Sequence, residues 1–390
     1  MAEINPEVLV WARETAGLTV AQAAKLLSLG GKKTSAEDAL LAYERGEKGT
    51  SRPLLLKMAA VYRRPLLIFY LPAPPARAER GEDFRTVPEE VRIESQGSLD
   101  ALVRDIYVRR DLIKNLLIDI EEAEPRSYVN SIALESDPHA ISERIAKLLE
   151  FDLDTFRRYQ KPEDAFSYLR KCAESIGVFV LLMGNLGSHH SNIPVEAFRG
   201  FALADDVVPL IVINDQDAPS ARSFTLLHEL AHILLGATGL SGSRAEQAVE
   251  RFCNDVAGHS LLRKGELAKT VWSVDDFEIL AREITTYSQA RNVSGSMIAY
   301  RLFLNSTITQ ETWIRLSDKF RLMWLSAKAA MKAKSSDTTG PSYYVVKRHR
   351  VGNALVELVG RTVKEGALTV TKAGKLLGVR PANVYNLVGA

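Results

Sequence analysis

Two histidines four residues apart, His228 and His232, with Glu229 directly after the first, spell the pattern HExxH. Side chains four apart on an α-helix differ by about 40° around its axis, so two imidazoles at this spacing face one way and can grip one Zn²⁺. Glu229 stands about 100° from His228, close enough to serve as general base toward a water at the metal without ligating the metal itself. Such chemistry requires a helix, and the chain supplies one. Every residue from Phe224 to Leu235 is compatible with helix, Gly236 is a natural stop, and Leu226, Leu227, Leu230, Ile233, Leu234 and Leu235 offer apolar faces to bury it. The pattern predicts a metal-dependent peptidase site.

A catalytic zinc site needs a third protein ligand and an open fourth position. Residues 243–262 read as the next helix, with Glu246, Glu250 and Asn254 one turn apart on one face. Glu250 is the best placed third ligand, Glu246 the reserve, and Asn254 a residue that could orient a ligand. The longer pattern HExxHxxGxxH would put a third histidine shortly after His232, but the chain continues Ile-Leu-Leu-Gly-Ala-Thr-Gly-Leu, which excludes that class. His259 falls roughly half a revolution from Glu250 and faces elsewhere. Cys253 reads as a lone buried thiol.

These segments, with Phe201-Ala202-Leu203, Pro209 to Asn214, Phe224 to His232 and Glu250 to Ala257, resemble the ImmA/IrrE metallopeptidase family. Its pattern is a strand ending in Asn, an FTLxHELxH helix and a later helix carrying Glu and an Ala/Cys-Asn pair. The resemblance covers roughly residues 140–335. It implies His228, His232 and Glu250 as metal ligands and Glu229 as general base of a gluzincin-like metallo-endopeptidase. Zn²⁺ is the expected ion and Mn²⁺ the alternative. Val256 stands where the family has Phe, and the helix ends in Leu261-Leu262-Arg263 without the usual Pro; both changes concern packing rather than the metal.

The remainder of the chain is that of a soluble multidomain protein. Its 390 residues, 46% hydrophobic and 25% charged, suffice for two or three cores. Only two cysteines, Cys172 and Cys253, argue against a disulfide framework and for a reducing cytoplasm. The first residues lack a basic-then-apolar signal, and no apolar run approaches the ~20 residues that span a bilayer. The net charge of +2 conceals an asymmetry: residues 1–71 carry +3, residues 341–390 carry +6, and the stretch between carries −7. Any nucleic-acid contact is therefore expected at the ends.

Residues 1–71 read as four short helices, Pro6 to Ala16, Thr19 to Leu27 (Ala21, Ala24, Leu26 and Leu27 inward), Ser35 to Arg45 and Arg52 to Tyr62, followed by an apolar tail. Trp11-Ala12-Arg13-Glu14, Ala23-Ala24-Lys25-Leu26, Tyr43 to Glu47 and Leu56 to Ala59 resemble the Xre-type helix-turn-helix repressor fold. The turn before the third helix is stretched by Leu29 to Lys33. That helix then opens with Glu37 and Asp38, which suit the helix dipole but repel phosphates. DNA binding and a dimerisation or substrate-docking role both remain open for this domain. Residues 72–97 form a proline-rich, then charged linker. Residues 98–124 are amphipathic and predict one long helix. Further helices follow at 141–149 and 162–176, and strands at 178–183, 198–203 and 209–213, whose edge could hold an extended peptide. His189-His190 lies on a loop.

After a breaker-rich linker, Leu368 to Leu377 matches Leu18 to Leu27 at seven of ten positions, and Gly378 to Tyr385 reads as a turn plus helix. Arg380 and Asn383 are the DNA-reading candidates, with Tyr385 beside them and Lys347, Arg348 and Arg350 as phosphate contacts. A helical lid on the peptidase is the other reading.

The expected fold is mainly α with a small sheet: a helix-turn-helix-like bundle at 1–71, an α+β zincin-like peptidase body at 98–334 and a basic helical segment at 341–390. The expected function is a zinc-dependent endopeptidase that cleaves or controls a partner repressor in stress or mobile-element regulation. The alternative is a non-proteolytic DNA-binding repressor, or an antitoxin that binds a neighbouring toxin. Expected partners are a protein substrate, DNA and, in a homodimer, a second copy, without a membrane.

Overall fold

A computed structural model describes residues 4–31, 34–75, 89–186, 191–236, 243–335 and 342–389; the side chains of 89–96, 243–246 and 332–335 lie outside that description. Internal contacts divide the chain into one unit of Met1–Val108 with Asn185–Phe198, and a second of Arg109–Gly184 with Arg199–Ala390. No helix among the described residues is long and apolar enough to cross a membrane.

In the first unit, α1 (Pro6–Glu14), α2 (Val20–Leu26), α3 (Ala36–Glu44) and α4 (Arg52–Val61) each begin behind a capping side chain, respectively Asn5, Thr19, Ser35 and Ser51. Such caps satisfy N–H groups that have no intrahelical partner. Thr19 and Gln22 complete a reciprocal capping box. The helices close over Val8, Leu9, Ala12, Leu40, Leu55 and Met58, and Phe69 from the short 3-10 turn Leu66–Tyr70 joins them. A buried, bidentate ion pair, Arg13 to Glu44 at 2.7 and 3.1 Å, ties α1 to α3. Two expectations change. The first helix ends at Glu14. In α2 the buried residues are Ala23 and Ala24, with Leu27 buried just after it, while Ala21 is exposed and Leu26 is 55% exposed. A seven-residue helix has too few apolar positions to fix its own buried face, so its neighbours decide.

Helix α5 (Glu89–Asp119) begins inside the stretch read as linker. In the second unit, Asp205 holds α5 through Lys114 (2.9 Å) and Arg110 (3.4 Å) while accepting from the Val207 and Val208 amides. Burial would raise the Asp205 carboxyl, but these contacts outweigh it and hold the pKa low.

Helices α6 (Pro138–Leu148), α7 (Leu153–Arg158) and α8 (Pro162–Ser175) lead into β1 (Phe179–Leu182), β2 (Gly200–Leu203) and β3 (Leu210–Ile213). The strand order is β1-β3-β2, with β1 parallel and β2 antiparallel to β3. Phe-Val-Leu-Leu and Leu-Ile-Val-Ile are buried at every position, as continuous apolar runs should be in a strand covered on both faces. Helix α9 (Pro219–Leu235) packs on β2, β3 and α8, and α10 (Ser243–Leu261) packs on α9 and α6. Three more helices, α11 (Phe277–Gln289), α12 (Gly295–Leu304) and α13 (Gln310–Ser335), follow.

The C-terminal segment is α14 (Tyr343–Val351), α15 (Asn353–Lys364), α16 (Val370–Leu377) and α17 (Val384–Val388), with a 3-10 turn at Pro381–Asn383. It is built into the second unit. Buried Arg170 on α8 pairs with Glu174 at 3.0 Å and donates to the carbonyls of Val180, His349 and Arg350, and the Ala354 amide donates to Glu174. Arg350, expected as a phosphate contact, instead pairs with Asp215 at 2.7 Å. Arg222 donates to the carbonyls of Asp215 and Asp217 (2.8 and 3.0 Å), so α14 is fastened to the loop that leads into α9.

Candidate metal centre

The HExxH helix starts at Pro219, earlier than the apolar pattern alone suggested, and ends at Gly236, whose left-handed φ of 67° closes its last turn. Amides of Asn130 and Ser131 donate to the carbonyls of Ile233 (3.1 Å) and Leu234 (2.7 Å), satisfying groups that a helix end leaves without partners. The helix is thus fixed along its sides by β2, β3, α8 and α10 and at its C-terminus by the chain around residue 130.

Three donor atoms converge on one point. His228 Nε2 and His232 Nε2 are 3.1 Å apart, and Glu250 reaches them with Oε2 at 3.3 Å and Oε1 at 3.2 Å respectively. Bonds of about 2.0–2.1 Å in a tetrahedral zinc site would separate two donors by roughly 3.3–3.4 Å. The donor set therefore fits a zinc-sized ion. Electrostatics point the same way. Burial disfavours a charged His232, yet hydrogen bonds with Cys253 and Glu250 outweigh it and raise its pKa well above the ordinary histidine value. Burial would likewise raise Glu250, but His228 and His232 hold it far below the usual carboxylate range. Two imidazoles and a carboxylate converging at these distances are the donor set of a zinc site with an open fourth position. The His232 side chain is 4% exposed and Glu250 35%, so the centre is closed on the helix side and open on the glutamate side.

Glu229 is buried beside this cluster. A Cβ added at Gly200 would sit 2.9 Å from Glu229 Oε1 and 2.6 Å from Thr225 Cγ2, so β2 meets α9 there only because residue 200 has no side chain. Cys253 is fully buried against His232, and burial pushes its thiol pKa up. Nδ1 of His228 is buried without a hydrogen-bond partner among the described residues.

The structure thus brings together His228, His232 and Glu250, with Glu229 alongside. The side chain of Glu246, the reserve ligand, and the pair His189-His190 lie outside the described residues. The Cys253 thiol also contacts His232. Sequence reasoning missed this contact and Gly200; the only signal for Cys253 was its position one turn beyond Val249-Glu250. His259 faces away, 5.5 Å from His139 between ring centres and 3.3 Å from Arg301. Arg380 and Asn383 are far along the chain in the C-terminal segment. Arg380 is exposed, and Asn383 accepts a hydrogen bond from Tyr344 at 3.2 Å.

A family model described as Peptidase_M78, IrrE N-terminal-like domain, matches residues 183–303. The match spans β2, β3, α9 and α10, and with them the metal cluster. That segment is accordingly a peptidase-type domain whose chemistry implies a divalent metal and a protein substrate. The helix-turn-helix resemblance of residues 1–71 has no matching family model. No curated protein and no solved structure matches the chain.

Proposed function

We propose that this protein is a zinc-dependent endopeptidase that cleaves, and so controls, a partner regulator protein, most directly a repressor. The observation that carries the reading is the convergence of His228, His232 and Glu250 with Glu229 buried next to them. His228, His232 and Glu250 would hold the ion, with Mn²⁺ the alternative to Zn²⁺. A bound Zn²⁺ supplies Lewis acidity, polarising the scissile carbonyl and easing deprotonation of water. Glu229 takes the water's proton on a carboxylate oxygen and afterwards delivers it to the departing amine. Gly200 leaves that carboxylate room, and β2 is the side of the sheet from which an extended peptide reaches it. Cys253, through its contact with His232, helps fix the orientation of that ring.

A purely non-proteolytic repressor or antitoxin on the same body is not favoured, because a scaffold has no use for a carboxylate at position 229 beside a metal cluster. The test is metal content followed by cleavage. Wild-type chain should retain one divalent ion after zinc reconstitution. His228→Ala and His232→Ala should lose it, Glu250→Ala should lose it far more readily than Glu246→Ala in a chelator competition, and Glu229→Gln should keep it. Against a co-expressed candidate repressor, Glu229→Gln should lower cleavage by about 10²–10⁴-fold. Wild-type protein without metal after reconstitution would sink the proposal.

A further inference from the structure

The chain holds two segments with helix-turn-helix character, and they differ in what they present. In the first unit, residues 27–35 separate α2 from α3, far more than the three or four that join the helices of a DNA-binding pair, and α3 opens with exposed Glu37 and Asp38. In the C-terminal segment, three residues, Gly378, Val379 and Arg380, separate α16 from the turn Pro381–Asn383 that opens α17. Two glycines make that corner possible. Gly378 is left-handed (φ 63°), and a Cβ on Gly374 would lie 2.8 Å from the Val379 carbonyl oxygen. Ala373, Leu377, Val384 and Leu387 are buried beneath it.

The other face is solvent-exposed and cationic. Lys372, Lys375, Arg380, Tyr385 and Asn386 are exposed, and residues 366–390 contain no Asp or Glu. Among the described residues, Lys372, Lys375 and Arg380 form no ion pair, whereas Arg361 and Arg350 of the same segment are paired with Glu122 (2.6 Å) and Asp215. Internal contacts therefore use Arg350 and Arg361 and leave this face uncompensated.

We infer that the C-terminal segment is a second functional site, a helix-turn-helix that binds duplex DNA in the major groove. Arg380 and Tyr385 reach the bases, and Lys372 and Lys375 contact backbone phosphates. Half-buried Asn383 lines the same cleft as Lys375 and Arg380, and both it and Asn386 hydrogen-bond the Tyr344 hydroxyl, at 3.2 and 3.0 Å. The site is independent of the peptidase chemistry.

The experiment uses the zinc-reconstituted full chain, a 30-bp duplex of arbitrary sequence and a duplex selected from a random 30-bp pool, by fluorescence anisotropy across a salt series. Each neutralised phosphate contributes about −0.9 to the slope of log affinity against log salt. The Lys372→Ala/Lys375→Ala pair should flatten the slope by about two on either duplex. Arg380→Ala should weaken binding to the selected duplex by about tenfold or more and affect the arbitrary one much less. Metal content equal to wild type shows that these surface variants are folded. A wild-type chain that binds neither duplex at 50 mM salt, or variants that match it in affinity and slope, would overturn the inference and leave this face to a protein partner.

Discussion

Gly200 illustrates how narrowly the site is drawn. Any side chain there meets Thr225 and the Glu229 carboxylate within 3 Å, and both neighbours sit on a helix fixed at its sides and its end. Gly200→Ala should therefore displace Glu229 more than the metal ligands. The variant is expected to bind one zinc like wild type, to lose about 1–3 kcal/mol of stability through overpacking, and to cleave poorly. Thermal unfolding with and without zinc checks this; unchanged stability and activity would mean that β2 shifts freely. At this scale the sequence was most readable where spacing alone dictates geometry. His228, Glu229 and His232 share one helix, so their relation follows from its pitch. Glu250 required only the next helix. Gly200 and Cys253 could not be found that way, because their importance arises from a strand and a helix meeting in space.

Between elements, Glu266 ties the chain after α10 to two others. Arg157 of α7 donates to it at 2.8 Å, Arg291 beyond α11 at 2.8 Å and the Arg263 amide at 2.9 Å. Burial would raise this carboxyl, but those hydrogen bonds outweigh it and hold the pKa down to about 2. A depressed pKa stabilises the fold above the unfolded value near 4.5 and loses that contribution as pH falls toward 2. Glu266→Gln should thus destabilise the protein by on the order of 2–3 kcal/mol at pH 7, with the deficit shrinking between pH 4.5 and 2. Urea titrations at several pH values measure it; a deficit independent of pH would assign the loss to packing. Element existence was largely legible: the starts read at Pro6, Thr19, Ser35 and Arg52 fall at or beside the observed ones, whereas α6 begins at Pro138 behind Asp137, earlier than the start read at 141. Lengths and faces were less so. The six residues of α7 carry little periodicity, α5 starts among residues that read as linker, and the exposed Leu26 shows neighbours choosing the buried face of a short helix.

For the whole molecule, the basic C-terminal segment, expected as a helix-turn-helix or as a helical lid on the peptidase, is built into the second unit through Arg170, Glu174 and Asp215. Arg350→Ala should cost roughly 1 kcal/mol, as a partly exposed pair does. Deleting 342–390 should cost at least about 3 kcal/mol, because it strips partners from a buried guanidinium and carboxylate and uncovers the face on which α15 rests. Chemical denaturation followed by far-UV circular dichroism distinguishes the two. A truncated chain as stable as the whole would show the segment to be merely tethered. For the same reason surface substitutions, rather than truncation, are the sound way to probe DNA binding.

The anchoring of Arg170 also bears on how the protein is made. A ribosome emits the sheet and the HExxH helix well before residues 349 and 350, whose carbonyls receive that arginine. Domains usually settle as they emerge. Here the nascent unit carries a buried ion pair whose remaining partners arrive only with α14 and α15. The Arg170–Glu174 pair is therefore completed only once α14 and α15 have emerged, well after the metal-binding motif itself.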